Sequence, residues 1–265
     1  MQKPKVCVLR TAGTNCDEET AFAFSKAGAS AGLVHINRLI AGKKHLEDYQ
    51  ILAIPGGFSY GDDIAAGKIL ANELRYKLIE DIRRFIGEGK LIVGICNGFQ
   101  VLVKSGLLPG NNDLTQEASL IINDSGKFED RWVYLKVSKC QSVKVSKKCA
   151  WTKDLPEIIY LPVAHGEGKF ITKDKSALER LTRNGQVVFQ YCDGKGKLAD
   201  YPCNPNGSVD NIAGICDETG RILGLMPHPE RHLGVSQHPR WAKLKQRGDG
   251  LAIFRNGVEY ARRNL

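Results

Sequence analysis

Two short segments carry residue types whose spacing suits nucleophilic catalysis. In Gly94-Ile95-Cys96-Asn97-Gly98 a cysteine has glycine two residues away on either side, directly after the apolar run Leu91-Ile92-Val93. That is the layout of a nucleophile elbow, a sharp strand-to-helix turn in which the glycines make room and the reactive atom stands exposed. The positive end of the following helix suits a thiolate there. A loop around an inert buried cysteine would share the pattern. The second segment, Met226-Pro227-His228-Pro229-Glu230, places an imidazole and a carboxylate two residues apart between prolines. Prolines disfavour a helix, and in an extended segment residues i and i+2 project to one side. Glu230 is then placed to orient His228, and His228 to serve as the base for Cys96, which is triad logic.

Metal chemistry has weaker support. His228-Pro229-Glu230 matches the H-x-E of zinc deaminases, but no P-C-x-x-C follows it. His228 and His232 lack the glutamate placement of H-E-x-x-H, so no metal site is expected. Neither G-x-x-x-x-G-K-[ST] nor G-x-G-x-x-G occurs, so no nucleotide site is expected in this chain.

The elements that must position these groups alternate along the first hundred residues. Strands are expected at Lys5 to Leu9, Gly32 to Ile36, Gln50 to Ile54 and Lys90 to Ile95. Helices are expected from an Asp17 N-cap to Lys26 and from about Ala65 to Gly87. Short alternating runs between Leu120 and Val145 read as antiparallel strands. Val187 to Cys192, Ile212 to Cys216 and Ile222 to Met226 follow as strands, the last two joined by an Asp217–Gly220 hairpin turn. A helix from about Leu251 to Arg263 closes the chain. The order predicts a doubly wound, mostly parallel α/β sheet flanked by helices, with a small antiparallel extension, in a single domain over 1–265. Ligands in such sheets gather beyond the carboxyl ends of the strands, where Pro55-Gly56-Gly57, the Cys96 turn and the His228 segment all fall.

Composition sets the outer bounds. With 25% charged and 42% hydrophobic residues among 265, the chain reads as folded and globular, not disordered or low-complexity. No stretch reaches the ~18 apolar residues of a membrane span, and the N-terminus carries no export signal, so a cytoplasmic protein with no membrane partner is expected. The eight cysteines include no C-x-x-C pair and read as reduced thiols. Much of the +9 net charge lies between Arg231 and Leu265, where eight Lys or Arg face only Asp249 and Glu259. This basic end suits an acidic partner, a phosphorylated ligand or water alike. Nucleic acid is not expected as a partner, because no stacking rings interleave with the basic residues.

Gly94-Ile-Cys96-Asn-Gly-Phe-Gln100 together with Pro227-His228-Pro229-Glu230 resembles the class I glutamine amidotransferases. Thr11-Ala-Gly-Thr-Asn-Cys16-Asp, Pro55-Gly-Gly-Phe-Ser-Tyr-Gly-Asp62 and Ala164-His-Gly-Glu-Gly168 narrow the resemblance to the glutaminase subunits of phosphoribosylformylglycinamidine synthases in purine biosynthesis. It spans residues 5 to about 232, with Ala12 where the family has proline and a longer region between 110 and 160. The resemblance implies a Cys96, His228, Glu230 triad that hydrolyses glutamine through a thioester. It implies an oxyanion hole from the N–H groups of Gly57 and Asn97, with Gly56, Gln100, His165 and Gly166 around the glutamine. His165 remains a rival base to His228. It further implies ammonia delivery to a large synthase subunit, with a small bridging subunit and with ATP and Mg used by the synthase. A sister amidotransferase serving another acceptor, or a docking module that has lost activity, stays open at this point.

Overall fold

The computed structural model describes residues 2–110, 113–138, 149–243 and 248–265. Strands β1 (Lys5–Arg10), β2 (Ser30–His35), β3 (Ile51–Ile54), β4 (Leu91–Ile95) and β11 (Ile222–Leu225) pair in parallel, in the order β2-β1-β3-β4-β11. The Val, Ile and Leu runs of β1, β3, β4 and β11 are buried on both faces, as parallel strands covered by helices must be, whereas the edge strand β2 buries only Val34. The sheet then continues antiparallel through β10 (Ile212–Cys216), β9 (Val187–Cys192), β6 (Glu129–Val137) and β7 (Ile158–His165). A separate antiparallel pair joins β5 (Ala118–Ile121) to β8 (Lys169–Thr172). The expected fold class is the observed one.

Helix α1 (Asp17–Lys26) packs on the C-terminal α7 (Gly250–Asn264), where Phe24 meets Phe254 edge-on at 4.9 Å. The strand order reverses direction between β1 and β3, so the loops that follow these two strands diverge from a shared crevice, the usual ligand position in such sheets. Backbone hydrogen bonds tie the two loops together: Phe58 N–H to Gly13 O at 2.9 Å, Tyr60 N–H to Ala12 O at 2.8 Å and Cys16 N–H to Gly56 O at 3.3 Å.

Several boundaries differ from the sequence expectation. The long helix is two, α3 (Lys68–Lys77) and α4 (Ile79–Gly87), separated at Leu78. It begins at Lys68 because Gly67, at φ 74°, forms its N-cap and the Ala66 N–H is taken by the Glu167 carboxylate. Cys16, not Asp17, is the N-cap of α1, and the Asp17 carboxylate pairs with Arg10 at 3.1 Å. Helix α2 (Ile36–Ile40), strands β7 and β8 and helix α6 (Lys175–Arg183) went unread in the sequence. Pro162 masks β7, and it is tolerated because β7 is the edge strand. The expected strand reach from 139 to Val145, and Cys140, lie outside the described residues.

Of the basic C-terminal residues, Arg231 pairs with Glu19, Arg263 with Glu259, and Arg262 donates to the Gly28 carbonyl. Lys245 and Arg247 lie outside the described residues. None of the described cysteines forms a disulfide, and no described helix is long and apolar enough to cross a membrane.

Candidate active site

Strand β4 delivers Cys96 as the N-cap of helix α5 (Asn97–Lys104) with φ 51° and ψ −106°. This backbone region costs a non-glycine residue about 1–3 kcal/mol, and it persists because the turn is over-determined. The Phe99 and Gln100 N–H groups close on the Cys96 carbonyl at 3.0 and 3.1 Å. Gly94 and Gly98 let α5 settle onto the sheet. A Cβ on Gly98 would stand 1.9 Å from the Ile54 carbonyl oxygen, and one on Gly94 would stand 2.5 Å from the Gly98 carbonyl oxygen. The glycine spacing in the sequence therefore has a packing cause.

The β4–β11 register brings the second segment alongside. Leu225 pairs with Ile95, and the Cys96 N–H donates to the Leu225 carbonyl at 2.8 Å. His228 is held by its N–H on Pro162 O at 2.8 Å and is extended (φ −102°, ψ 90°). Glu230 is not on an extended segment as the proline spacing suggested. Pro229 instead opens a single 3-10 turn, Pro229–Arg231, since its fixed φ and missing N–H suit the first position of a helical turn. The turn still brings Glu230 Oε1 to 2.5 Å from His228 Nδ1, with both residues 1% exposed. Burial works against a charged His228 ring, but Glu230 and Cys96 outweigh it and hold its proton well above the ordinary histidine range. Nε2 is turned toward the thiols of Cys96 and Cys16 and has no hydrogen-bond partner among the described residues.

Two thiols thus face one imidazole. Cys16 Sγ–H is directed at Asn15 Oδ1 (3.2 Å), and its sulfur accepts from Arg231 Nη2 (3.2 Å). Burial pushes the Cys16 thiol up to about 11, even against the pull of His228. It stays protonated near neutral pH, so Cys16 is a poor nucleophile there. Cys16, Glu19, His228 and Glu230 each bring one ligand atom to within 4.8 Å of the others, a metal-like spacing. The Arg231 guanidinium, 3.2 Å from Cys16 Sγ and 3.0 Å from Glu19 Oε1, takes a cation's place there.

A cavity of about 370 Å³ opens beside Cys96 and His228, and Gly57, Gln100, His165 and Gly166 also line it. Gly57, at φ 137°, is fixed by its bridge to Thr14. Gly56 is not among the lining residues; its α-carbon backs the His228 ring, where a Cβ would meet Cε1 at 2.8 Å. Asn97 begins α5, whose first N–H groups have no intrahelical acceptor. Its side chain accepts from Ser59 N–H (3.3 Å) and donates to Asp62 Oδ1 (3.1 Å) and Gln100 Oε1 (3.0 Å). Gln100 Nε2 donates to the Glu167 carbonyl at 2.6 Å, so this amide also holds the loop after β7.

His165, the rival base, is in a different state. Its Nδ1 faces Asn123 Oδ1 at 3.2 Å and its Nε2 faces Asn206 Nδ2 at 3.5 Å, with no carboxylate on either nitrogen. The Asn123 orientation is settled by its other bonds, from Nδ2 to the carbonyls of Lys127 and His165 and from the Gly168 N–H to Oδ1. Burial, and then the charge of His228, lower His165 to about 3. A ring so reluctant to take a proton is a poor base at neutral pH.

Comparison with known proteins gives the same chemistry a family. The profile of the CobB/CobQ-like glutamine amidotransferase domain matches residues 3–261. The chain belongs to that family. The phosphoribosylformylglycinamidine synthase subunit PurQ of Dehalococcoides mccartyi is 51% identical over 265 residues, covering 99% of each chain. The protein of the same name from Archaeoglobus fulgidus is 46% identical over 271 residues, covering 97% of this chain and 96% of its own. Among solved structures, a chain of PurLQS from Thermotoga maritima superposes with a TM-score of 0.73 at 32% identity, covering 98% of this chain and 99% of that one.

Within this amidotransferase, reading the sequence by motif missed the supporting groups. Asn123 and Asn206 come from separate loops with no local pattern yet face His165, and Arg231, the last residue of the Pro229 turn, gave no local sign of its contact with Cys16. Asp62 and Glu167 stood inside quoted motifs, where nothing local showed that both line the cavity.

Proposed function

We propose that this chain is the glutaminase subunit of a phosphoribosylformylglycinamidine synthase, with Cys96, His228 and Glu230 as its catalytic triad. The observation that carries the reading is the buried His228–Glu230 pair, 2.5 Å apart, whose unpartnered Nε2 is turned toward the Cys96 elbow over a cavity of amino-acid size. The full-length likeness to chains named as PurQ supports the choice of acceptor.

Cys96 Sγ attacks the side-chain carboxamide carbon of glutamine while its proton resides on His228 Nε2. The N–H groups of Gly57 and Asn97 receive the tetrahedral oxyanion, and losing one such donor typically costs about 10²–10³ in rate. Nε2–H then protonates the departing nitrogen, the C–N bond breaks, and ammonia leaves a glutamyl thioester on Cys96. Next, Nε2 takes a proton from water, the hydroxide attacks the thioester, and the C–S bond breaks to release glutamate. The same proton returns to the Cys96 thiolate. Glu230 keeps the ring oriented throughout and stabilises the imidazolium.

Ammonia is consumed by a partner. A large synthase subunit, with a small bridging subunit, uses ATP and Mg to activate formylglycinamide ribonucleotide, and this chain has no metal or nucleotide role of its own. The setting is cytoplasmic. Glutamate release from glutamine, measured with the chain alone and with the synthase subunit, ATP and formylglycinamide ribonucleotide, tests both halves. Release should rise in the complex and vanish in Cys96→Ala. Equal turnover with and without the partner would refute the coupling, and release surviving Cys96→Ala would refute the nucleophile.

A further inference from the structure

The cavity beside Cys96 carries uneven charge. Asp62 and Glu167 line it on the side of Gln100, one helical turn beyond the nucleophile. Glu167 is engaged: its carboxylate accepts the Ala66 N–H at 3.3 and 3.4 Å and lies 3.7 Å from Lys104 Nζ. Lys104 is buried and also donates to the Ala66 carbonyl at 2.6 Å. Asp62 is engaged at one oxygen only. Oδ1 accepts from Gly67 N–H and Asn97 Nδ2, both at 3.1 Å, and Oδ2 takes no hydrogen bond among the described residues.

Asp62 and Glu167 thus bring two carboxylates to this end of the cavity, and the ammonium nearest them, Lys104, lies beside Glu167. Burial pushes the Asp62 carboxyl up, and neighbouring Glu167 adds to that, against hydrogen bonds from Gly67 and Asn97. A cation brought to Oδ2 would relieve both effects. His228 independently marks the cavity as a ligand site, since its Nε2 is buried without a partner there. One helical turn is about 5.4 Å. Four bonds separate the amide carbon of glutamine from its α-nitrogen, a reach on the order of 5 Å.

We propose that Asp62 binds the α-ammonium group of the glutamine substrate and so selects an amino acid over a simple amide. This rests on the glutaminase reading above. Asn97 then has two duties, an N–H for the oxyanion and a side chain that fixes Asp62. Both ends of the substrate are thus registered against the first turn of α5.

The test compares glutamine with glutaramate, the same chain without its α-amino group, using the protein in its complex with the synthase subunit. Wild type should favour glutamine in kcat/KM by about 10- to 100-fold, as a charge-assisted hydrogen bond allows. Asp62→Asn keeps an acceptor for Gly67 N–H, and it should slow glutamine by that factor, chiefly through KM, and slow glutaramate far less. Asp62→Asn slowing both substrates equally would overturn the proposal and make Asp62 a purely structural residue. Wild type using both substrates equally well would overturn it even if the variant does not fold. Cys96-dependent hydrolysis in that last case would show the glutaminase chemistry standing while the role of Asp62 falls.

Discussion

His228 Nδ1 lies 2.5 Å from Glu230 Oε1 although a 3-10 turn, not a strand, connects the two residues. Pro229 sets that turn and the pair is 1% exposed, so the carboxylate acts on the ring with little solvent screening. Replacing Glu230 by Gln removes the largest contribution that raises His228, while the burial that lowers it remains. The proton on His228 should then be lost at lower pH than in wild type, which the His Cε1–H chemical shift would report. The kcat/KM for glutamine should fall about 10²–10⁴-fold, as in other triads that lose their orienting carboxylate. An unchanged His228 titration would reject the pairing. Wild-type His228 is raised in the folded state, so its stabilisation is complete below about 6.5 and fades as pH climbs through the raised value.

Of the two thiols at the imidazole, one should react. Iodoacetamide at pH 7.5 should label Cys96 and spare Cys16, whose proton is held up to about 11. Peptide mapping that finds Cys16 modified first would overturn this assignment.

Gly98→Ala should be among the most destabilising small substitutions in the chain. The added methyl meets the Ile54 carbonyl at 1.9 Å, a backbone atom that cannot rotate away. A cost of about 2–4 kcal/mol is expected, read as a lower urea midpoint at constant m-value. A midpoint within error of wild type would show that the elbow tolerates a wider gap between α5 and the sheet.

His165 should tune stability toward acid. Its folded-state value is lowered to about 3, so between that pH and the ordinary ~6.5 the unfolded chain binds the extra proton. Stability should therefore decline as pH falls through this window, and the decline should be shallower in His165→Gln. Chemical denaturation at pH 7.5, 6 and 5 reads the slopes; parallel slopes in the two proteins would exclude His165 as a source.

How much of this was legible in the chain depended on the range of the interactions. The glycine spacing around Cys96, the apolar runs of β1, β3 and β4 and the turn at Asp217–Gly220 are local consequences of backbone geometry. Sequence reading located them within a residue or two. It failed where distant partners decide. Lys68 begins α3 because Gly67 turns left-handed at φ 74°, in a loop that Glu167, a hundred residues away, holds through the Ala66 N–H. Strand β7 carries a proline that only its edge position permits.

The amino-acid sequence by itself determined the reactive types and their order: a thiol on a turn between glycines, then an imidazole and a carboxylate between prolines. Tertiary structure alone decided their chemistry. His165 and His228 are both buried histidines, yet one faces amides and sheds its proton while the other faces Glu230 and keeps it. Cys16 and Cys96 share one ring, and only the Cys16 sulfur is tied to Arg231 and Asn15. Burial magnifies whichever charge or dipole lies nearest, and which one that is follows from strand register and loop convergence, which no local spacing encodes.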